Sequence, residues 1–350
     1  MSTFISTIGL PEIVAGIMVL ALNAYVLMGG ADFGGGLWDL LATGPRRGEQ
    51  RELIANSIAP IWEANHVWLI VVVVLLFTAF PAAYAMLGIV LHIPITLMLI
   101  GIVLRGSAFV FRSYGSRARA QRRRWGFAFA GASAATPLLL GATLGAIASG
   151  DVSVAAKRVG VASFSDAFIA PWLAPFPLSV GLFALALFAF LAAVYLTVEA
   201  RDDALRDDFR RRALVMAAIV GVLAAVALFL SRSAAPLVAA GVAGSPWSGL
   251  LHLCTGSAAI VAIVSLLRRN YRLARIAAAA QASLILWGWA LAQYPFVIPT
   301  SLSIRSAAAP IITLRLLLVG LAAGALILIP SLRYLFRTFA GHAAERDLSS

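Results

Sequence analysis

The chain has 350 residues, of which 61% are hydrophobic and only 12% are charged, and its mean hydropathy is +0.94. Because soluble domains carry about twice that share of charged residues, the composition excludes a water-soluble globular protein and indicates a polytopic membrane protein. The formal net charge of +12 would suit a nucleic-acid partner, but the positions of the basic residues decide against that class.

Nine apolar segments are long enough to cross the roughly 30 Å hydrocarbon core of a membrane, which takes about 20 helical residues. We therefore predict an all-α polytopic membrane protein, with spans one to five in an N-terminal half (1–200) and spans six to nine in a C-terminal half (201–350). No basic residue precedes the first apolar run, which predicts a retained first helix instead of a cleaved signal peptide. The nine segments are 8–41, 53–80, 84–111, 126–149, 178–198, 213–231, 248–267, 276–294 and 311–332.

The basic residues alternate between the loops. Of the 27 Lys and Arg residues, 21 lie in the loops that follow odd-numbered spans or at the C-terminal end. The other loops carry only Lys157, Arg158, Arg232 and Arg305. Because loops rich in Lys and Arg remain in the cytoplasm, this distribution predicts nine spans with the N-terminus outside and the C-terminus in the cytoplasm. The positive charge therefore reflects topology, and no nucleic-acid partner is expected.

Ionisable side chains inside the predicted spans are the best functional candidates, because a charged group in hydrocarbon costs several kcal/mol. Asp32 lies in the first span among five glycines, which let a neighbouring backbone approach closely, so we expect this part of the helix to be buried in protein. The second span carries Asn56, Glu63, Asn65 and His66. The sequence thus places its polar candidates in two consecutive helices.

Spacing relates these polar residues to one another. Asn56 and Glu63 are seven residues apart and share a helix face, and Pro60 between them leaves the carbonyl of Asn56 unpaired. At a rise of about 1.5 Å per residue, both Asp32 and Glu63 lie about 14–15 Å from the same membrane edge. Two carboxyl groups level with each other near the middle of the membrane predict proton exchange near neutral pH.

A structural interpretation stands beside this functional one. Asp32 and Glu63 would then be neutral, hydrogen-bonded packing residues, and Asn65 and His66 would bond across helices. Arg105, in the third span, either extends its guanidinium to the membrane surface or pairs with an anion. Both alternatives remain open from the sequence.

Ligand and aromatic positions add further predictions. His66 and His92 have no second ligand at a suitable spacing, so we expect structural use of both and no haem or metal bound by this chain. Trp62 and Trp68 flank the acidic position of the second span. We expect them to pack and to contact quinone or lipid.

Five motifs resemble subunit II of the cytochrome bd quinol oxidases. They are "ADFGGGLWDLL", "NSIAPIWEANHVW", "FPAAY", "LRGSAFVFR" and "YPFVIPTS". The resemblance implies nine helices, as two four-helix bundles plus one peripheral helix, in the bacterial inner membrane. It also implies a partner subunit I that carries haems b and d and the quinol site, with a small single-span subunit as a further candidate partner.

Together the two subunits of that family would oxidise quinol, reduce dioxygen to water and take protons from the cytoplasm. Residues at the positions of Asp32 and Glu63 are associated in the family with proton delivery. This sequence has Glu63 and Ala64 where the family usually has Asp and Gly, and Gly29 where many members have a further Asp. The missing acid leaves Asp32 and Glu63, with water, as the expected relay.

Two other classes of protein remain as alternatives. A proton-coupled secondary transporter would also place carboxylates and broken helices near the middle of the membrane, and it would be expected to show an inverted repeat. A structural assembly factor would need no acidic residue at that depth.

Overall fold

A computed structural model describes residues 9–58, 62–114 and 119–348, without the side chains of 58, 62–64, 112–114, 119–120, 122–123, 329 and 332–348. The described residues form fifteen helices and one short antiparallel hairpin. The helices are α1 (Leu10–Leu40), α2 (Arg47–Ile58), α3 (Trp62–Ala79), α4 (Pro81–Val90), α5 (His92–Tyr114), α6 (Arg119–Ser149), α7 (Asp151–Arg158), α8 (Phe164–Phe168), α9 (Ala170–Leu173), α10 (Pro175–Glu199), α11 (Asp203–Ala234), α12 (Pro236–Gly244), α13 (Ser248–Leu267), α14 (Tyr271–Gln293) and α15 (Ile311–Leu348). The hairpin pairs β1 (Phe296–Ile298) with β2 (Leu302–Ser303).

The predicted all-α polytopic fold is confirmed. Within the described ranges, eight helices are long and apolar enough to cross a membrane, and a ninth crossing follows if α3 and α4 are one bent span. The predicted seventh segment, 248–267, coincides with α13. Most of the other long helices extend beyond their predicted ends, and α11 begins at Asp203 instead of at 213, because polar residues can continue a helix past the hydrocarbon.

The predicted third segment, 84–111, is not one continuous helix. Its first residues, 84–90, belong to the separate helix α4, which is bent by 115° from α3. The chain leaves the helical conformation at Phe80, where φ is −132°, and Pro81 then starts a new helix. Proline removes a helical hydrogen bond and suits the first turn of a helix, so the break falls here and the third long helix begins only at His92.

Eight long helices pack as two groups of four. Helices α1, α3, α5 and α6 form the first bundle, and α10, α11, α13 and α14 form the second. Helix α10 also packs against α1 and α6 and so joins the bundles, with 67% of its most apolar segment buried. Among the long helices, α15 packs mainly against α1 and α3, and 6% of its most apolar segment is buried. The expected arrangement of two four-helix bundles and a peripheral helix agrees with this packing.

Glycine allows α1 and α10 to cross in close contact. A Cβ atom added at Gly34 would overlap the backbone carbonyl oxygen of Phe188, and one at Gly30 would lie 2.6 Å from a methyl group of Leu191. Small residues at a crossing let two helix backbones approach. The glycine-rich part of the first span is therefore buried against protein, as the sequence predicted.

Ion pairs fasten the loops at the two ends of the helices. At one end, Arg46 Nη2 lies 2.6 Å from Asp208 Oδ1 and Arg269 Nη2 lies 3.0 Å from Asp207 Oδ2. At the other end, Arg305 Nε donates to Glu12 Oε1 at 2.6 Å. We call the first end the basic end. It contains the loop after α1, the first turns of α11 with the loop before them, and the loop after α13. The hydrogen bond to Asp208 raises the pKa of Arg46.

Candidate functional site

The first bundle contains a cluster of polar side chains in its interior. Asp32 comes from α1, Asn65 from α3, Arg105 from α5 and Ser133 from α6, and each side chain is at most 1% exposed. We call these four residues the buried polar cluster. Ionisable groups at this depth are costly unless they are paired and hydrogen-bonded. The cluster therefore has to be satisfied from within.

Arg105 is the centre of this cluster. Its Nη2 atom lies 2.6 Å from Asp32 Oδ1 and donates to the backbone oxygen of Asp32 at 2.8 Å. Its Nε atom donates to Ser133 Oγ at 2.9 Å, and Ser133 in turn donates to the backbone oxygen of Phe129 at 2.7 Å. Of the two alternatives left open for Arg105, the structure shows pairing with an anion.

Two aromatic rings cover the guanidinium of Arg105. The Cζ atom lies 4.9 Å from the ring centre of Phe33 and 4.8 Å from that of Phe129. A cation over an aromatic face is attracted by the ring quadrupole, more strongly where water is excluded. Arg105 is thus held by two rings, a hydroxyl and a carbonyl in addition to the carboxylate of Asp32.

Asn65 brings the polar part of α3 to the same place. Its Nδ2 atom donates to Asp32 Oδ2 over 3.5 Å, which is the long limit of a hydrogen bond. Glycines of α1 make room for these neighbours: a Cβ atom at Gly29 would lie 3.2 Å from Asn65 Nδ2, and one at Gly36 would overlap Ser133 Oγ. The side chains of the cluster can come together because α1 has glycine, with no side chain, at Gly29 and Gly36.

The other predicted site residues have different positions. His66 is partly buried, with its ring edge-on to Phe33 at a centroid distance of 6.3 Å. Trp68 packs against the hydrophobic residues around Phe33. Asn56 is exposed on α2, apart from the buried polar cluster.

The side chains of Glu63 and Trp62 lie outside the described residues, as does Pro60. The backbone of Glu63 belongs to α3, two residues before Asn65, which is about 3 Å along the helix axis. The predicted face shared by Asn56 and Glu63, and the predicted level of the two carboxyl groups, therefore stay predictions. The described part of α3 contacts Asp32 through the side chain of Asn65.

Ser133 and Phe129 are parts of the site that sequence reasoning missed. A serine in an apolar span is common, and it usually bonds to its own helix, as Ser133 also does. Only the nearby Arg105 gives Ser133 its second bond. No local signal in "FAGASAATP" marks this role.

The histidines whose side chains the structure describes do not form a ligand set with their neighbours. His92 is exposed at the start of α5, where its Nδ1 atom lies 2.8 Å from the backbone oxygen of Ile89. In the part of the chain that the structure describes, no group of three His, Cys, Asp or Glu residues is placed to hold a metal ion. The assignment of haem to a partner chain stays a prediction.

Comparison with known sequences identifies similar proteins. The family model described as cytochrome bd terminal oxidase subunit II matches residues 10–339. A putative cytochrome bd menaquinol oxidase subunit II of Bacillus subtilis (strain 168) is 32% identical over 87 residues, 25% of this chain and 25% of that protein. Cytochrome bd-I ubiquinol oxidase subunit 2 of Escherichia coli (strain K12) is 32% identical over 105 residues, 30% of this chain and 27% of that protein. The chain thus spans about a quarter of the length of these relatives.

Comparison with solved structures covers almost the whole chain. A chain in the structure of bd oxidase from Geobacillus thermodenitrificans superposes with a TM-score of 0.72 at 22% sequence identity. The superposition includes 94% of this chain and 98% of that one. At this identity the similarity establishes the fold, which agrees with the two bundles and the peripheral helix described above.

Proposed function

Because the chain belongs to the family of cytochrome bd terminal oxidase subunit II, we propose that it is the subunit that supports a haem-bearing subunit I in a respiratory quinol:oxygen oxidoreductase. The complex oxidises quinol and reduces dioxygen to water, and this chain delivers protons towards the site of that reduction. The observation that supports proton delivery by this chain is the buried ion pair of Asp32 and Arg105. It is an ionisable site in the core of a membrane bundle, which is a functional hypothesis by default.

Glu63 and Asp32 are the proposed proton carriers. Neutralising the carboxylate of Asp32 would ordinarily release its guanidinium partner. Here Arg105 has further partners that do not titrate: it bonds to Ser133 and to the Asp32 carbonyl and contacts two aromatic rings. These partners would hold Arg105 in place, at a cost in stability, when Asp32 takes up a proton. Glu63, near Asn65 on α3, is the carrier that would supply it.

Protons are proposed to enter from the basic end of the bundles. That end gathers Arg46, Asp207, Asp208 and Arg269, and the loops there contain most of the basic residues of the chain. Under the positive-inside rule it faces the cytoplasm. The protein then lies in the bacterial inner membrane with its N-terminus outside.

Subunit I is proposed to pack on the exposed faces of α3 and α5. Val67, Ile70, Val74 and Phe77 recur at helical spacing on one face of α3, and each is at least 42% exposed. The same helices carry Asn65 and Arg105, so a partner on this face would lie next to the buried polar cluster. The haems b and d expected in this partner would supply the redox chemistry, and quinone or lipid would occupy the remaining surface.

Co-purification tests the proposed complex. We expect a tagged form of this chain, extracted from its native membrane in mild detergent, to bring down a second polypeptide with a haem Soret band and quinol-dependent oxygen consumption. Purification of the chain alone, together with proton-coupled solute uptake after reconstitution into vesicles, would contradict the proposal and favour a secondary transporter.

A further inference from the structure

A stripe of α1 leads from Asp32 towards the end opposite the basic end. Tyr25, Gly29 and Asp32 are spaced four and three residues apart, so they lie on one helix face. Tyr25 and Asp32 are both 0% exposed. Gly29 between them has no side chain, and the amide of Asn65 and the ring of Phe188 lie over it, 3.2 Å and 3.5 Å from where a Cβ atom would be.

Three polar atoms around this stripe need hydrogen bonds. The hydroxyl of Tyr25 and Oδ1 of Asn65 are buried and have no hydrogen-bond partner among the described residues. Asp32 Oδ1 is in ionic contact with Arg105, but it too accepts no aligned hydrogen bond there. Nearly all buried polar groups in proteins are bonded, either to protein or to an internal water.

These atoms lie in one buried environment. Tyr25 packs in the same cluster of buried residues as Phe33 and Phe188, and these two rings lie beside Arg105 and Gly29, respectively. Asn65 reaches Asp32 with its amide nitrogen, which leaves its Oδ1 atom beside the same carboxylate. One donor, the tyrosine hydroxyl, and two acceptors, the oxygens of Asn65 and Asp32, are therefore the groups left over.

We propose that Tyr25, Asn65 and Asp32 hold an internal water site between them, beside the amide of Asn65. The water accepts a hydrogen bond from the Tyr25 hydroxyl and donates to Asp32 Oδ1 and to Asn65 Oδ1. Three partners is the usual number for a buried water, and this set uses both O–H donors of one water and one of its two lone pairs. The alternative is a dry site in which Tyr25 is only a packing residue.

The water site would extend the proton path beyond Asp32, away from the basic end. This role in proton transfer rests on the proposed function, since a water bound to Asp32 can continue the relay only if Asp32 carries protons. Tyr25 is then a positioning residue, because it acts through the water that it holds.

A high-resolution map of the assembled complex tests the water site itself. We expect density within about 3 Å of the Tyr25 hydroxyl and Asp32 Oδ1, and we expect Tyr25→Phe to remove or displace it. Tyr84→Phe, at an exposed tyrosine of α4, should leave it unchanged. An empty site in a map that shows other waters inside the membrane would overturn the proposal. This outcome can be read whether or not the complex turns over, so it is separate from failure of the proposed function.

The solvent isotope effect tests the role in proton transfer. With haem content unchanged, we expect Tyr25→Phe to lower quinol-dependent oxygen consumption several-fold and to raise the ratio of rates in H2O and D2O. The Tyr84→Phe variant should match the unmodified complex in both. If Tyr25→Phe also matches it in rate and ratio, the water does not take part in the relay and that part of the proposal is wrong.

Discussion

Arg105 Nη2 lies 2.6 Å from Asp32 Oδ1 in the interior of the first bundle, although 73 residues separate them in the chain. A buried ion pair stabilises a fold only when further hydrogen bonds offset the cost of removing two charges from water. Here Ser133 and the carbonyl of Asp32 accept such hydrogen bonds from Arg105, and two aromatic rings add cation–π contacts. The pair thus joins α1 to α5, and the bond to Ser133 extends this connection to α6. Each charged residue of the pair needs the other to offset the cost of its burial.

Neutralising one member of the pair should destabilise the bundle more than neutralising both. Asp32→Asn alone leaves the charge of Arg105 buried without a counter-ion, and Arg105→Gln alone does the same to the carboxylate of Asp32. Either change should cost about 3–5 kcal/mol of stability. The double variant removes both charges and should recover most of this loss. Thermal unfolding of the purified protein in detergent measures the three differences. Full stability of Asp32→Asn alone would show that the pair is not coupled.

The same double variant separates stability from function. If Asp32 carries protons, the double variant should assemble with normal haem content and still consume oxygen slowly. Activity close to that of the unmodified complex would assign Asp32 a structural role alone.

Ser133 should contribute to the pair through its second hydrogen bond. Ser133→Ala leaves Nε of Arg105 without its acceptor and should cost about 1–3 kcal/mol, the penalty of an unsatisfied buried group. Ser179→Ala is the matched control, because the hydroxyl of Ser179 is also buried but donates only to its own helix at Phe176. The midpoints of thermal unfolding compare them. Equal losses in both variants would contradict the special role of Ser133.

Gly34 should be intolerant of any side chain. Gly34→Ala places a methyl group on the carbonyl oxygen of Phe188, a backbone atom that cannot rotate away, so α1 and α10 must separate. Overpacking of this kind costs about 1–3 kcal/mol or more. Gly16→Ala, on the same helix with open space around it, is the control. The yield of monodisperse protein and its unfolding midpoint should fall only for Gly34→Ala.

The orientation can be tested with reporters at two positions. A reporter that is active only in the cytoplasm should work when fused after Ser350 and fail when inserted after Gly160, in the exposed turn between α7 and α8. A periplasmic reporter should give the reverse. Activity of the periplasmic reporter after Ser350 would refute the predicted orientation.

Composition and pattern were enough to predict the fold class, because the length and hydropathy of a membrane helix are local properties of the chain. The burial of Asp32 followed in the same way from its glycine neighbours. The partner of Arg105 could not be predicted, because a side chain at that depth reaches either the surface or a neighbour, and the packing of α1 against α5 and α6 decides between them. Pro81 was visible in the sequence, but its effect depends on whether a neighbouring helix supports a straight or a bent path.

Quinol-dependent oxygen consumption by complexes that contain Glu63→Gln tests the proposed relay most directly. Glutamine keeps the size and hydrogen bonding of the side chain and removes its proton exchange, so we expect a loss on the order of 10²–10⁴-fold if proton transfer limits the rate. Glu63→Asp should keep much of the activity, and Glu52→Gln, at an exposed acid of α2, should keep all of it. A Glu63→Gln complex with normal haem content and the unmodified rate from pH 6 to pH 9 would contradict the relay.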